Sequence, residues 1–68
     1  MIEHTKKFGV YHWDTFDNET ILIDEFDTLK EAEDFVAEKY KGRVRPDGAD
    51  KVDIVNLKGV VVKQFSVG

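Results

Sequence analysis

Histidine is scarce in this chain and cysteine is absent, which narrows the chemistry at once. The histidines are His4 and His12. A spacing of eight matches no recognised ligand pair, and there is no His-Glu-x-x-His. His12 lies near the end of an aromatic, β-branched run, where a packed or half-exposed ring is expected. Asp14, Asp17, Asn18 and Glu19 offer the oxygen donors that a hard cation takes. They lack the spacing and central glycine of a calcium-binding loop, so a plain hairpin turn is expected. The one serine is Ser66, and no Ser/His/Asp set can be drawn. The glycines are scattered and form no phosphate-cradling loop. Carboxylates stand side by side at Asp24/Glu25 and Glu33/Asp34. A working acid or base needs a cleft and burial to shift its pKa, and 68 residues offer little of either. Without cysteine there are no disulfides, thiolate metal sites or cysteine nucleophiles. The expectation is a non-enzymatic protein with no metal and no cofactor.

The element that must organise these residues is Phe26–Gly42, FDTLKEAEDFVAEKYKG. Thr28 suits an N-cap, and Glu31 three residues on completes a capping box by reaching back to the cap's N–H. Asp27, Glu31, Glu33 and Asp34 lie near the positive end of the helix dipole, with Lys39 and Lys41 at the other end. Gly42 suits the left-handed residue that ends a helix. Leu29, Ala32, Val36 and Tyr40 form one apolar stripe, widened by Phe35, and the opposite face is polar. Such a helix packs on a single surface.

The remainder predicts strands. Lys7–Asp14 is the first, with Phe8, Val10 and His12 on one face and Gly9, Tyr11 and Trp13 on the other. Thr20–Phe26 is the second. Ile21 and Ile23 share a face, yet strict alternation would put Phe26 on the opposite one, away from the helix start. A bulge or bend resolves that conflict. Pro46-Asp47-Gly48 suits the last three positions of a type I turn. Lys51–Leu57 and Val60–Val67 form a hairpin through Asn56-Leu57-Lys58-Gly59, a type I turn followed by a glycine bulge. Asn56 then pairs with Val60, Val55 with Val61, Ile54 with Val62 and Asp53 with Lys63. In that register Val52, Ile54, Val60 and Val62 lie under the helix. The Asp53–Lys63 pair marks the solvent face, which also holds Val55, Leu57, Val61 and Phe65. The segment Met1–Lys6 is short and polar and is expected to fray.

The expected fold is α+β: a β-β-α-β-β chain with one four-stranded antiparallel sheet and one helix on one face. A right-handed crossover favours the strand order 2-1-3-4. Residues 1–68 make a single small domain. A chain this short buries only about 60% of its unfolded surface, and without staples it gains from association. No apolar run approaches a membrane span, and the start lacks the apolar core of a signal peptide, so a soluble, cytoplasmic protein is expected. The net charge of −4 conceals an asymmetry. Asp14 to Glu38 holds ten acidic residues and one lysine; Lys39 to Lys63 holds seven basic residues and three acidic ones.

Phe26-x-Thr28-x-x-Glu31-Ala32 resembles the strand-to-helix junction of the AP2-like N-terminal domains of phage integrases, which bind DNA. It also looks like the junction in the small N-terminal domains of some ribonuclease H enzymes, which bind RNA–DNA hybrids. The whole-chain pattern is most similar to short bacterial proteins of unknown function with the same β-β-α-β-β order, which end in a hairpin with a Lys-Gly or Asp-Gly turn and a terminal Gly. The integrase and ribonuclease likenesses imply a nucleic-acid-binding domain, with stacking on exposed aromatics. Those families carry clustered Lys and Arg on the sheet face, whereas Lys51, Lys58 and Lys63 stand among acids here, which weighs against phosphate contact. The acidic run could instead act as a decoy toward a basic protein. The leading expectation is a protein-interaction module, a homodimer or a binder of another protein. It would use the exposed sheet face, with Tyr11, Trp13, Val55, Val61 and Phe65 as contact residues.

Overall fold

The structure, a computed structural model, describes residues 4–68. The order is β1 (Phe8–Asp14), β2 (Glu19–Phe26), α1 (Leu29–Lys39), β3 (Asp50–Asn56) and β4 (Val61–Val67). The strands form one antiparallel sheet in the order β2-β1-β3-β4, with the helix laid over β1, β2 and β3. The fold class, element order and strand order therefore follow the expectation. Among the described residues no helix is long and apolar enough to cross a membrane.

The helix forms where its signals place it. The Thr28 hydroxyl accepts from the Glu31 N–H at 3.2 Å, and the Thr28 backbone is extended, as an N-cap requires. The box closes differently from expectation: the Glu31 carboxylate accepts from the Thr28 hydroxyl at 3.0 Å, not from its backbone N–H. Ala32, Val36 and Tyr40 are buried against Val10, Val52, Ile54 and Val67. Phe8, Ile23, Phe26, Leu29, Phe35 and Phe65 pack around that cluster, and the rings of Phe26 and Phe35 lie 5.2 Å apart.

Two bulges set the register. On β2, Val10 pairs with Asp24 and Tyr11 with Leu22, so Ile23 is the extra residue. It turns Phe26 back to the helix side, opposite Phe8, and answers the conflict in the alternation. The second bulge is a correction. Val55 pairs with Val61 as expected, but Ile54 faces Lys63 and Asp53 faces Gln64, leaving Val62 as the extra residue. The expected Ile54–Val62 and Asp53–Lys63 pairs do not form. Lys63 comes to the helix side, where its ammonium reaches Glu33 at 2.7 Å, and Asp53 accepts from Gln64 at 2.8 Å. Val60 and Val62, expected under the helix, are 55% and 42% exposed. The turn itself is as expected: the Gly59 N–H reaches the Asn56 carbonyl at 3.1 Å, and Gly59 takes a left-handed φ of 82°. The Arg45–Gly48 turn closes through Gly48 N–H to Arg45 carbonyl at 3.2 Å.

Candidate functional site

On the sheet face away from the helix, pairing fixes three rows. Thr20, Trp13, Lys51 and Ser66 make one; Leu22, Tyr11, Asp53 and Gln64 the next; Glu25, Gly9, Val55 and Val61 the third. An apolar stripe therefore runs from Trp13 and Leu22 through Tyr11 to Val55 and Val61. Its two ends are open, with Trp13 38% and Val61 46% exposed. Its middle is closed, since Tyr11 and Val55 are 5% and 8% exposed.

The segment before β1 contributes the cover. The His4 ring lies on Gly9, so close that a Cβ there would stand 2.7 Å from it. Only glycine lets the ring down onto the strand. His4 Nδ1 meets the Tyr11 hydroxyl at 3.0 Å, with the two rings edge to face. The Glu25 carboxylate, on the neighbouring strand, accepts from the Thr5 N–H and, at 3.3 Å, from the Lys6 N–H. Those donors, the Thr5 N–H first, hold the Glu25 pKa below its ordinary value. The other imidazole nitrogen, Nε2, is buried and has no hydrogen-bond partner among the described residues. The expectation that Met1–Lys6 frays is thus corrected for His4–Lys6; Met1–Glu3 lie outside the described residues.

A second histidine cluster lies on the helix side. His12 Nδ1 meets the Tyr40 hydroxyl at 2.7 Å, and Nε2 meets Asp50 at 3.2 Å. The other oxygen of Asp50 accepts from the Thr15 N–H and hydroxyl at 3.3 and 3.1 Å. The His12 bond first, then the Thr15 N–H, lowers the Asp50 pKa, while burial raises that of Tyr40. A phenol–imidazole–carboxylate chain can relay a proton. Here the phenol belongs to a residue 2% exposed, and both imidazole nitrogens are engaged. The cluster joins the helix end, the first hairpin and the start of β3. An open depression of about 330 Å³ beside it is lined by His12, Asp14, Ile21, Ile23, Lys39 and Tyr40. In the hairpin turn, Asp14 accepts from the N–H groups of Phe16 and Asp17. Among the described residues no group of three or more acidic or histidine side chains is placed to hold a metal ion.

The expected contact residues part company in this geometry. Trp13 and Val61 lie open on the outer face. Tyr11 and Val55 are on that face but buried, with the His4 ring against Tyr11. Phe65 is not on it: opposite Val52, it turns to the helix side, packs on the core and carries the Lys63 ammonium 5.6 Å from its ring. The Val62 bulge is the cause, because it inverts the faces of every later β4 residue. Beyond Val61 the apolar surface continues around the hairpin end, where Leu57, Val60 and Val62 are 42–59% exposed. The outer edge of β4 is covered near its end, where Val44 bridges Val67 and Arg45 N–H reaches the Ser66 carbonyl. From Val61 to Gln64 no strand among the described residues pairs with that edge. The strand order also separates charge. The β2 edge carries Glu19, Asp24 and Glu25, and the β4 edge carries Lys63 and is flanked by Arg43 and Arg45.

Compared with protein-family models, curated proteins and solved structures, the chain matches none.

Proposed function

We propose that this chain is a small, non-enzymatic protein-interaction module that associates with a second copy of itself at the β3–β4 hairpin. The observation that carries this reading is the half-exposed apolar group Leu57, Val60, Val61 and Val62 beside an unpaired stretch of β4 edge. An edge of this kind templates pairing unless charge, proline or a covering loop blocks it. The two edges of the sheet differ on that point. An antiparallel pair of β2 strands centred on Leu22 would set Glu19 against Glu25. An antiparallel pair of β4 strands centred between Val61 and Val62 sets valine on valine and Lys63 against Val60, with no like charges opposed. The β4 edge is thus self-complementary, as a two-fold interface must be.

Light scattering on a gel-filtered sample tests this. The expected mass is near twice 7.8 kDa. The variant Val61→Lys, at an exposed position, should return the single-chain mass with an unchanged circular dichroism spectrum. A strict monomer at high protein concentration, or a dimer indifferent to Val61→Lys, ends the reading.

A further inference from the structure

Association at the β4 edge leaves the β1–β2 turn unused. At its tip Phe16 is 94% exposed, so the ring gives almost nothing to the core. The turn around it is nevertheless fixed from two sides. One Asp14 oxygen accepts from the N–H groups of Phe16 and Asp17 at 2.9 and 3.3 Å, and Asn18 takes a left-handed φ of 54°. From β3, Asp50 accepts from the Thr15 N–H and hydroxyl and also meets His12. Polar contacts therefore order a turn whose largest side chain stands in water.

We propose that this turn is a second contact, a preformed finger that inserts Phe16 into an apolar pocket rimmed by Lys or Arg on another protein. The contact goes beyond the β4 reading and does not rest on it. β3 starts beside Trp13 and ends beside Phe8, which puts the turn at the opposite end of the sheet from the β3–β4 hairpin. Ordering the turn in advance removes an entropy cost of binding, and a ring free in the monomer gives up no internal packing on insertion. Aromatic side chains are enriched in the buried centre of protein contacts. Trp13 and Ile21, 38% and 51% exposed on the two faces behind the turn, add apolar surface at this end. Charge selects the partner. Asp17 and Glu19 are exposed and, among the described residues, pair with no cation. From Trp13 to Ile21 there is no Lys or Arg. A cationic rim complements these acids, whereas the phosphates of nucleic acid or of an anionic bilayer are repelled.

A benzophenone side chain placed at position 16 of the full chain, in the cells the protein comes from, supplies the test. Photo-adducts are identified by mass spectrometry, and the identified protein is purified and titrated with the unmodified chain by calorimetry. Phe16→Ala should weaken that binding at least about tenfold, with an unchanged circular dichroism spectrum. Asp17→Lys with Glu19→Lys should weaken it more at low salt than at high salt. Asp14→Ala keeps the ring but frees the turn and should also weaken binding; Asp14→Asn keeps the accepting oxygen and should recover most of the loss. Val61→Lys should leave the titration unchanged, and Phe16→Ala should leave the mass of the unmixed chain unchanged, so this contact and the β4 contact fail separately. The finger is overturned by no protein adduct beyond those the same probe gives at Lys30, or by adducts only with a second copy, nucleic acid or lipid. It is equally overturned by a partner that binds Phe16→Ala as tightly as the unmodified chain. Binding indifferent to Asp14→Ala overturns its preformed character.

Discussion

β1 sends adjacent residues to opposite faces of the sheet, and each face is closed by a histidine–tyrosine pair. On the helix side His12 holds Tyr40 of the helix end; on the other side Tyr11 holds His4 of the preceding segment. The bonds are alike, at 2.7 and 3.0 Å, yet the two covers differ in kind. The helix brings Ala32, Val36 and Tyr40 into a shared apolar core, and the second nitrogen of His12 is taken by Asp50. The His4 segment brings polar side chains, and its second imidazole nitrogen has no partner among the described residues. One polar bond does not make a permanent cover. Apolar burial supplies the driving force, and complete satisfaction of the buried polar atoms removes the opposing one.

The largest expected effect comes from neighbours on β3 that face opposite ways. Ile54 is fully buried on the helix side and Val55 is 8% exposed on the other face. Ile54→Ala should lower unfolding stability by about 2–5 kcal/mol, a large share of the roughly 5–15 kcal/mol typical of a domain. Val55→Ala should cost less, about 1.6 kcal/mol from two lost methyl equivalents at ~0.8 kcal/mol each. Urea denaturation at constant m-value measures both. Equal losses would mean that the two faces are cores of the same rank, and the contrast would fail. Next in size is Tyr40→Phe. It keeps the ring and strands His12 Nδ1, at an expected cost of about 1–3 kcal/mol. His4→Ala, which removes an already under-satisfied ring, should cost less in the same assay and show instead as faster amide exchange at Thr5 and Lys6.

The same contrast separates what the sequence declares from what it hides. The helix is legible because cap, stripe and terminator agree over one short stretch. The Ile23 bulge is legible because Phe26 would otherwise point away from the helix. The Val62 bulge is silent: Val60, Val61 and Val62 are the same residue, so skipping one creates no conflict in the pattern, and Phe65 is sent to the wrong face as a result. The Asp53–Lys63 charge pair reinforced the wrong register, although both side chains find other partners, Gln64 and Glu33. The His12–Tyr40 bond was within reach, since both residues lie on inward stripes, but the pairing of helix end to β1 follows from the crossover and from no local signal. The His4 cover was hidden because a short polar stretch looks unanchored. Its one clue is Gly9, a glycine amid aromatic and β-branched residues, where a strand interior often admits a close neighbour.

Acid separates the two covers by the smallest effect. Asp50 on the helix side and Glu25 under the His4 segment both have pKa values lowered by the bonds they receive, from His12 and then Thr15 for Asp50, and from Thr5 for Glu25. A carboxyl whose folded pKa lies below its unfolded one stabilises the fold above the unfolded value, and that contribution is lost as pH falls through the folded value. Both contributions should therefore be complete at neutral pH and vanish below the ordinary carboxylate range. The readouts should differ. Asp50 ties Thr15, His12 and through it Tyr40 to the start of β3, so its protonation weakens the whole fold. Asp50→Asn should flatten the acid limb of global stability followed by urea denaturation. Glu25→Gln should leave that limb unchanged and instead remove the acid dependence of the protection of the Thr5 and Lys6 amides, taken relative to their intrinsic exchange at each pH. An acid limb that Glu25→Gln flattens as much as Asp50→Asn would show the His4 segment to be coupled to global unfolding. The second cover would then be as integral as the helix.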